Sequence, residues 1–168
     1  IKNFSQISKD DIPSVGGKGA NLGEMINNGL PVPDGFALTS SAYFYFLKTN
    51  NLKEKVAKQL SLVDKNDPTS FQRVSKVVQK LILEGETPKE IAKEVFLAYE
   101  KLVGLLGKTL VAVRSSATAE DLPGASFAGQ QMTYLNVQGE ATLLQKVKHC
   151  WASLFTPRAI FYRQEKGY

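Results

Sequence analysis

Between Leu52 and Leu102, large apolar residues return every third or fourth position among lysines and glutamates. Leu52, Val56 and Leu60 form one such stripe; Val74, Val77, Val78, Leu81 and Ile82 form a second. This spacing follows the turn of an amphipathic helix, so two helices are predicted here. Asp64-Lys-Asn-Asp-Pro68 between them has the composition of a surface loop. A third stripe carries Ile91, Val95, Ala98, Leu102 and Leu105. Thr87-Pro88-Lys89-Glu90 reads as its start: a capping hydroxyl, proline at the first helical position, and glutamate three residues after the cap. Gly107 is placed to end it.

Shorter signals flank this block. A helix is predicted after Gly16-Gly17, with Leu22, Met25 and Ile26 on one face and Asn28-Gly29 as its stop. Pro31, Pro33 and Gly35 turn the chain into a short strand over residues 36–39. Thr39 or Ser40 caps the next helix, which runs to about Asn50. Thr109 to Arg114 is strand-like, with Leu110, Val111 and Val113 suited to burial, and Met132 to Val137 alternates as the strand that returns. A helix carrying Leu143, Leu144, Val147, Trp151 and Leu154 follows, and Thr156-Pro157 opens a last one ending near Gly167. The pattern is a helix-rich α/β (α+β) fold. Its strands are few, so the sheet is expected to be completed by further chain.

Composition narrows the class. At 168 residues, 43% hydrophobic and 22% charged, the chain is expected to be a soluble, globular domain with a core of its own. A net charge of +5 allows an anionic partner, a nucleotide or a nucleic acid. Lys53, Lys55 and Lys58 flank Glu54, however, and Lys89 and Lys93 flank Glu90 and Glu94, as on a solvated helix face. That arrangement disfavours a nucleic-acid surface. Cys150 is the one cysteine, so no internal disulfide and no cysteine-based zinc site is expected, and its apolar neighbours give it a packing role. The longest apolar run, Ala42 to Leu47, is too short to span a bilayer. No signal-peptide pattern is visible, and a reducing, cytoplasmic location is expected.

Two segments carry candidate chemistry. Val15-Gly-Gly-Lys-Gly-Ala-Asn21 sets Lys18 among glycines where a helix starts. Helix starts present free N–H groups and partial positive charge, and glycine lets the backbone approach an anion. The spacing is not that of a Walker A loop; the alternative is a glycine turn with a solvated lysine. The second segment runs from Val113 to Gln131. It places Arg114 at a strand end, followed by the hydroxyls of Ser115, Ser116 and Thr118 and by Gly124 and Gly129. A guanidinium holds a pair of phosphate oxygens in a fixed plane. The alternative for Arg114 is an ion pair with Glu120 or Asp121. Two segments of this kind in one chain favour phosphate binding over either alternative.

GGKGANLGEM, PVPDGFALT, AVRSSATAEDLPGASFAGQQ and ASLFTPRAIFYR occur in this order and together resemble the amino-terminal nucleotide-binding region of the phosphoenolpyruvate synthase (pyruvate, water dikinase) family. The resemblance implies that residues 1–168 are the first subdomain of an ATP-grasp fold. The second half of the clasp, a swivelling phosphohistidine domain and a barrel that takes pyruvate would then lie outside this chain. It implies transfer of the β-phosphate of ATP to the histidine, then formation of phosphoenolpyruvate, leaving AMP and phosphate.

Lys18 and Arg114 match the ATP-contacting lysine and arginine of the family, and Gly129 and Thr133 match further nucleotide contacts. Ser115, Ser116 and Thr118 join them as phosphate ligands. Magnesium is implied, with ligands mostly outside this chain, so no metal residue is assigned. ATP, pyruvate and the phosphohistidine domain are the implied partners, with no nucleic acid and no membrane. The chain alone is expected to be inactive. Ser116 and Ala125-Ser126-Phe127 argue against the pyruvate, phosphate dikinases, which usually have glycine for the second serine. The rifampicin phosphotransferases share nearly the same loop and stay open, as does a non-catalytic nucleotide-binding module. Met132 stands where these families often have an acid or histidine. His149, the one histidine, lies outside the phosphohistidine motif and is read as structural.

Overall fold

The computed structural model describes residues 1–104, 109–117 and 132–167. In chain order its regular elements are β1 (Lys2–Asn3), α1 (Ile12–Asn27), β2 (Phe36–Ala37), α2 (Ser40–Thr49), α3 (Leu52–Leu60), α4 (Pro68–Glu84), α5 (Lys89–Val103), β3 (Val111–Arg114), β4 (Thr133–Val137), α6 (Glu140–Ser153) and α7 (Pro157–Lys166). Two 3₁₀ turns, Phe4–Gln6 and Lys9–Asp11, lead from β1 into α1. Among the described residues the strands form two antiparallel pairs, β1 with β2 and β3 with β4. The fold is therefore helix-rich and mixed, as the residue pattern predicts.

The main core gathers around α4. Val78 and Ile82 from α4, Phe46 from α2 and Val95 from α5 are fully buried, with Leu143 of α6 and Ile160 of α7 closing on them. Trp151 lays its ring 4.9 Å from that of Phe46. Side chains from distant elements finish the helix ends, where the last carbonyls lack intrahelical donors. Lys148 Nζ donates to Leu83 O (2.8 Å) and Gly85 O (3.1 Å) at the end of α4, a position where its charge also meets the helix dipole favourably. Arg163 donates to Leu154 O at the end of α6. Asn50 grips the chain between α4 and α5 from both sides: its Nδ2 donates to Glu86 O at 2.9 Å and its Oδ1 accepts from Glu86 N–H at 2.8 Å. Asp67 and Thr156 cap α4 and α7 through their own side chains.

The second core is small: Ile7, Val15 and Ala20, with Phe4, Ile12 and Ala37 packed against it. The predicted apolar face of α1 is only partly covered: Met25 is 40% exposed, Leu22 and Ile26 are half-buried, and the buried residues are Val15, Gly16, Gly17, Gly19, Ala20 and Gly23. A Cβ on Gly23 would stand 2.8 Å from Ile7 Cβ, so the absence of a side chain lets the Ile7 backbone lie directly on the helix.

Four further expectations are corrected. Helical structure starts at Ile12, ahead of the glycine pair, and is broken at Gly16. Pro88 is extended (ψ 139°) and is itself the residue before α5; its carbonyl accepts from Ala92 N–H, which leaves Thr87 outside the capping position. α5 ends at Gly104, whose φ of 67° suits glycine, three residues before Gly107, which lies outside the described residues together with Leu105. Leu110 precedes β3 and is 54% exposed, while Val111 and Val113 are half-buried.

Candidate functional site

Gly16 has φ 73° and ψ 169°, a backbone region open essentially to glycine alone. It divides α1, and residues 17–27 form a second helical segment with Gly16 before its first residue. A Cβ on Gly16 would lie 2.7 Å from both the carbonyl carbon and oxygen of Ser116. Gly19 N–H donates to Ser116 Oγ at 3.2 Å across a separation of 97 residues. The two segments with candidate chemistry therefore touch. Lys18 lies between the two glycines and is half-buried.

The other side of the contact is built by β3 and β4. Their register pairs Arg114 with Thr133, Val113 with Tyr134 and Val111 with Val137. Two steps along β3 thus face three along β4, a bulge that includes Asn136 at φ 55°. Arg114 is exposed, and its Nε donates to Thr133 Oγ1 at 3.4 Å. The pairing extends past the strand through Ser115 N–H, which donates to Met132 O at 3.2 Å. Alternation along the chain then buries Ser115 and leaves Arg114 outward.

α6 backs this strand pair. His149 faces Tyr134 with ring centres 5.8 Å apart, and Lys146 Nζ sits 4.9 Å from the centre of the same ring. Burial, then the charges of Lys146 and Lys148, hold the His149 imidazole below its ordinary pKa. Cys150 is buried in the same helix, and burial pushes its thiol up to about 12.

Of the expected phosphate ligands, Ser116 meets the backbone on either side of Lys18, and Arg114 meets Thr133, with Ser115 buried between Arg114 and Ser116. Thr118 and Gly129 lie outside the described residues, as do Glu120, Asp121 and Gly124. Among the described residues no three His, Cys, Asp or Glu side chains gather in a group able to hold a metal, and no helix is long and apolar enough to cross a membrane. Residue pattern alone misses what Gly16 and Gly19 do. Glycine among phosphate-binding residues reads as room for an anion, whereas here the first of those glycines makes room for Ser116. The available signal was a glycine-rich helix start in the same chain as a loop rich in hydroxyls.

A helix start, a lysine on it, an arginine at a strand end and neighbouring hydroxyls have the chemistry of an anion site. The class these features define is the phosphate-handling module. The chain belongs to the family described as pyruvate phosphate dikinase, AMP/ATP-binding domain, whose model matches residues 12–168.

Relatives agree over nearly the whole chain. A probable phosphoenolpyruvate synthase of Methanocaldococcus jannaschii is 50% identical over 167 residues, covering 98% of this chain and 14% of the relative. The phosphoenolpyruvate synthase of Pyrococcus furiosus is 43% identical over 202 residues, covering all of this chain and 25% of the relative. That of Helicobacter pylori is 45% identical over 174 residues, covering all of this chain and 21% of the relative. The chain thus spans a quarter or less of the length of these relatives.

Proposed function

We propose that this chain is the ATP-holding part of a phosphoenolpyruvate synthase, the first of two halves of an ATP-grasp clasp. The observation that carries the reading is the contact between the Lys18 helix start and the chain after Arg114. It gives two cations, contributed by segments remote in sequence, to one phosphate chain. Lys18 and Arg114 neutralise the triphosphate, and the Thr133 hydroxyl stands beside Arg114. Positioning and electrostatic stabilisation are the main contributions such a part makes to phosphoryl transfer.

In the whole enzyme, a histidine on a separate domain takes the β-phosphate and pyruvate receives it, in a cytoplasmic setting. Magnesium neutralises phosphate charge when bound; no step is assigned to a metal ligand among the described residues. The test uses the full-length protein carrying this region, with ATP and magnesium, and measures AMP formation with pyruvate, with rifampicin, and with neither. The expected result is AMP formation that needs pyruvate and yields phosphoenolpyruvate, and none from residues 1–168 alone. AMP formation dependent on rifampicin, or turnover by residues 1–168 alone, would overturn it.

A further inference from the structure

We infer that Ser116 is a positioning residue: it caps, from across the molecule, the helix segment that presents Lys18, and so sets that lysine against Arg114. A helix start leaves its first N–H groups without partners, and the residue before it ordinarily supplies a side-chain oxygen to the second or third of them. Gly16 holds that preceding place and has no side chain. Gly17, Lys18 and Gly19 are the first three residues of the segment, so Gly19 N–H is the third donor. Ser116 Oγ accepts from it at 3.2 Å.

Among the described residues, position 16 itself cannot supply the cap. A residue with a Cβ at position 16 would need φ near 73° and would press on the Ser116 backbone, and the oxygen comes from Ser116 instead. The Ser116 hydroxyl thereby has a protein partner as an acceptor. This acceptor role is additional to the phosphate-ligand part the family resemblance gives it, which would use the O–H as donor. Ser116 lies two residues after Arg114 and the capped donor lies one residue after Lys18. The bond ties the spacing of the two cations to a single hydroxyl, and with it ties the loop after Arg114 to the helix.

This inference rests on the proposed ATP site for its functional half and on the hydrogen bond for its structural half. The experiment uses the full-length protein and separates them. Hydrogen exchange of the peptide covering residues 17–22 is measured without nucleotide, and ATP affinity is measured for Ser116→Ala and Ser116→Thr, each with Lys18 present and with Lys18→Ala. Ser116→Ala is expected to speed exchange in that peptide and to weaken ATP about fivefold when Lys18 is present, the effect of losing one cap. In the Lys18→Ala background the same change is expected to weaken ATP by less than about twofold, because its effect passes through that lysine. Ser116→Thr, which keeps the acceptor, is expected to restore both readouts.

Unchanged exchange in Ser116→Ala overturns the cap. An equal loss of ATP affinity in both backgrounds overturns the positioning role and makes Ser116 a direct ligand. If the unaltered protein binds no ATP, the proposed function fails, while the exchange readout still decides the cap.

Discussion

The helical body around α4 and the seat of α1 pack by opposite means. In the body, large side chains interlock: Phe46, Val78, Ile82 and Val95 are fully buried, and each of α2, α4 and α5 contributes bulk to the same volume. In the seat, contact is made by absence. Gly23 accepts the Ile7 backbone, Gly16 accepts the Ser116 backbone, and Met25 of α1 is exposed. The first arrangement resists removal of atoms and the second resists their addition. The second is also the one that holds the candidate site, since close approach of two backbones fixes the Lys18 and Arg114 segments with few adjustable side chains between them.

The largest expected effect tests the body. Ile82→Ala removes a fully buried side chain and is expected to cost about 3.5 kcal/mol in denaturant unfolding, the cost of lost burial plus the cavity left behind. A loss below about 1 kcal/mol would mean the core closes over the space and is not the interlocked body described above.

The seat is tested by adding a single carbon. Gly16→Ala is expected to cost about 3 kcal/mol, from the positive φ together with the collision with Ser116. Gly139 supplies the control. It also precedes a helix at positive φ (83°), yet a Cβ there meets no described atom within 4 Å. Gly139→Ala is expected to cost about 1.5 kcal/mol, the conformational part alone. Equal losses in the two variants would show that the Ser116 contact contributes nothing.

Helix caps give the smallest contrast. Asp67 caps α4 from the adjacent position, whereas the second segment of α1 is capped from 97 residues away. The Thr69 hydroxyl first, then Arg73 and the Thr69 N–H, hold the Asp67 carboxyl down at about 2. A lowered value means that the stabilisation is fully present above the ordinary carboxylate value of 3.8 and fades as pH falls through about 2. Asp67→Asn is therefore expected to flatten the melting-temperature profile between about pH 4 and 2, and to leave its shape above pH 5 unchanged. A profile identical to that of the unaltered protein would remove Asp67 from the acid response.

The difference between the two regions also explains what could be read from residue order. Leu52 and Val56 of α3, Val74, Val78 and Ile82 of α4, and Ile91 and Val95 of α5 are legible because bulk and burial coincide there, whereas Val77 of the α4 stripe is 40% exposed. On α1 they separate: hydropathy points to Leu22, Met25 and Ile26, while the buried residues, Val15 apart, are glycines and Ala20, with almost no side chain to score. Tyr99 fills the α5 stripe where spacing pointed to Ala98, because its hydroxyl accepts from Gly139 N–H at 3.0 Å and satisfies the buried ring's polar end. Pro88 was legible as a helix-start residue but not as the extended residue before the helix.

For the site, residue order singles out the two segments and their cations one by one as candidates. Their contact was not legible. It depends on one hydrogen bond and one backbone approach between chains of residues nearly a hundred positions apart, and no periodicity encodes either.

The central claim is that Lys18 and Arg114 act on one bound triphosphate. Calorimetric titration of ATP into the full-length protein, its Lys18→Ala and Arg114→Ala variants and the double variant tests this most directly. Each single change is expected to weaken ATP at least about tenfold, and the double change by clearly less than the product of the two, as for two cations sharing one ligand. Unchanged affinity in both single variants would contradict the account.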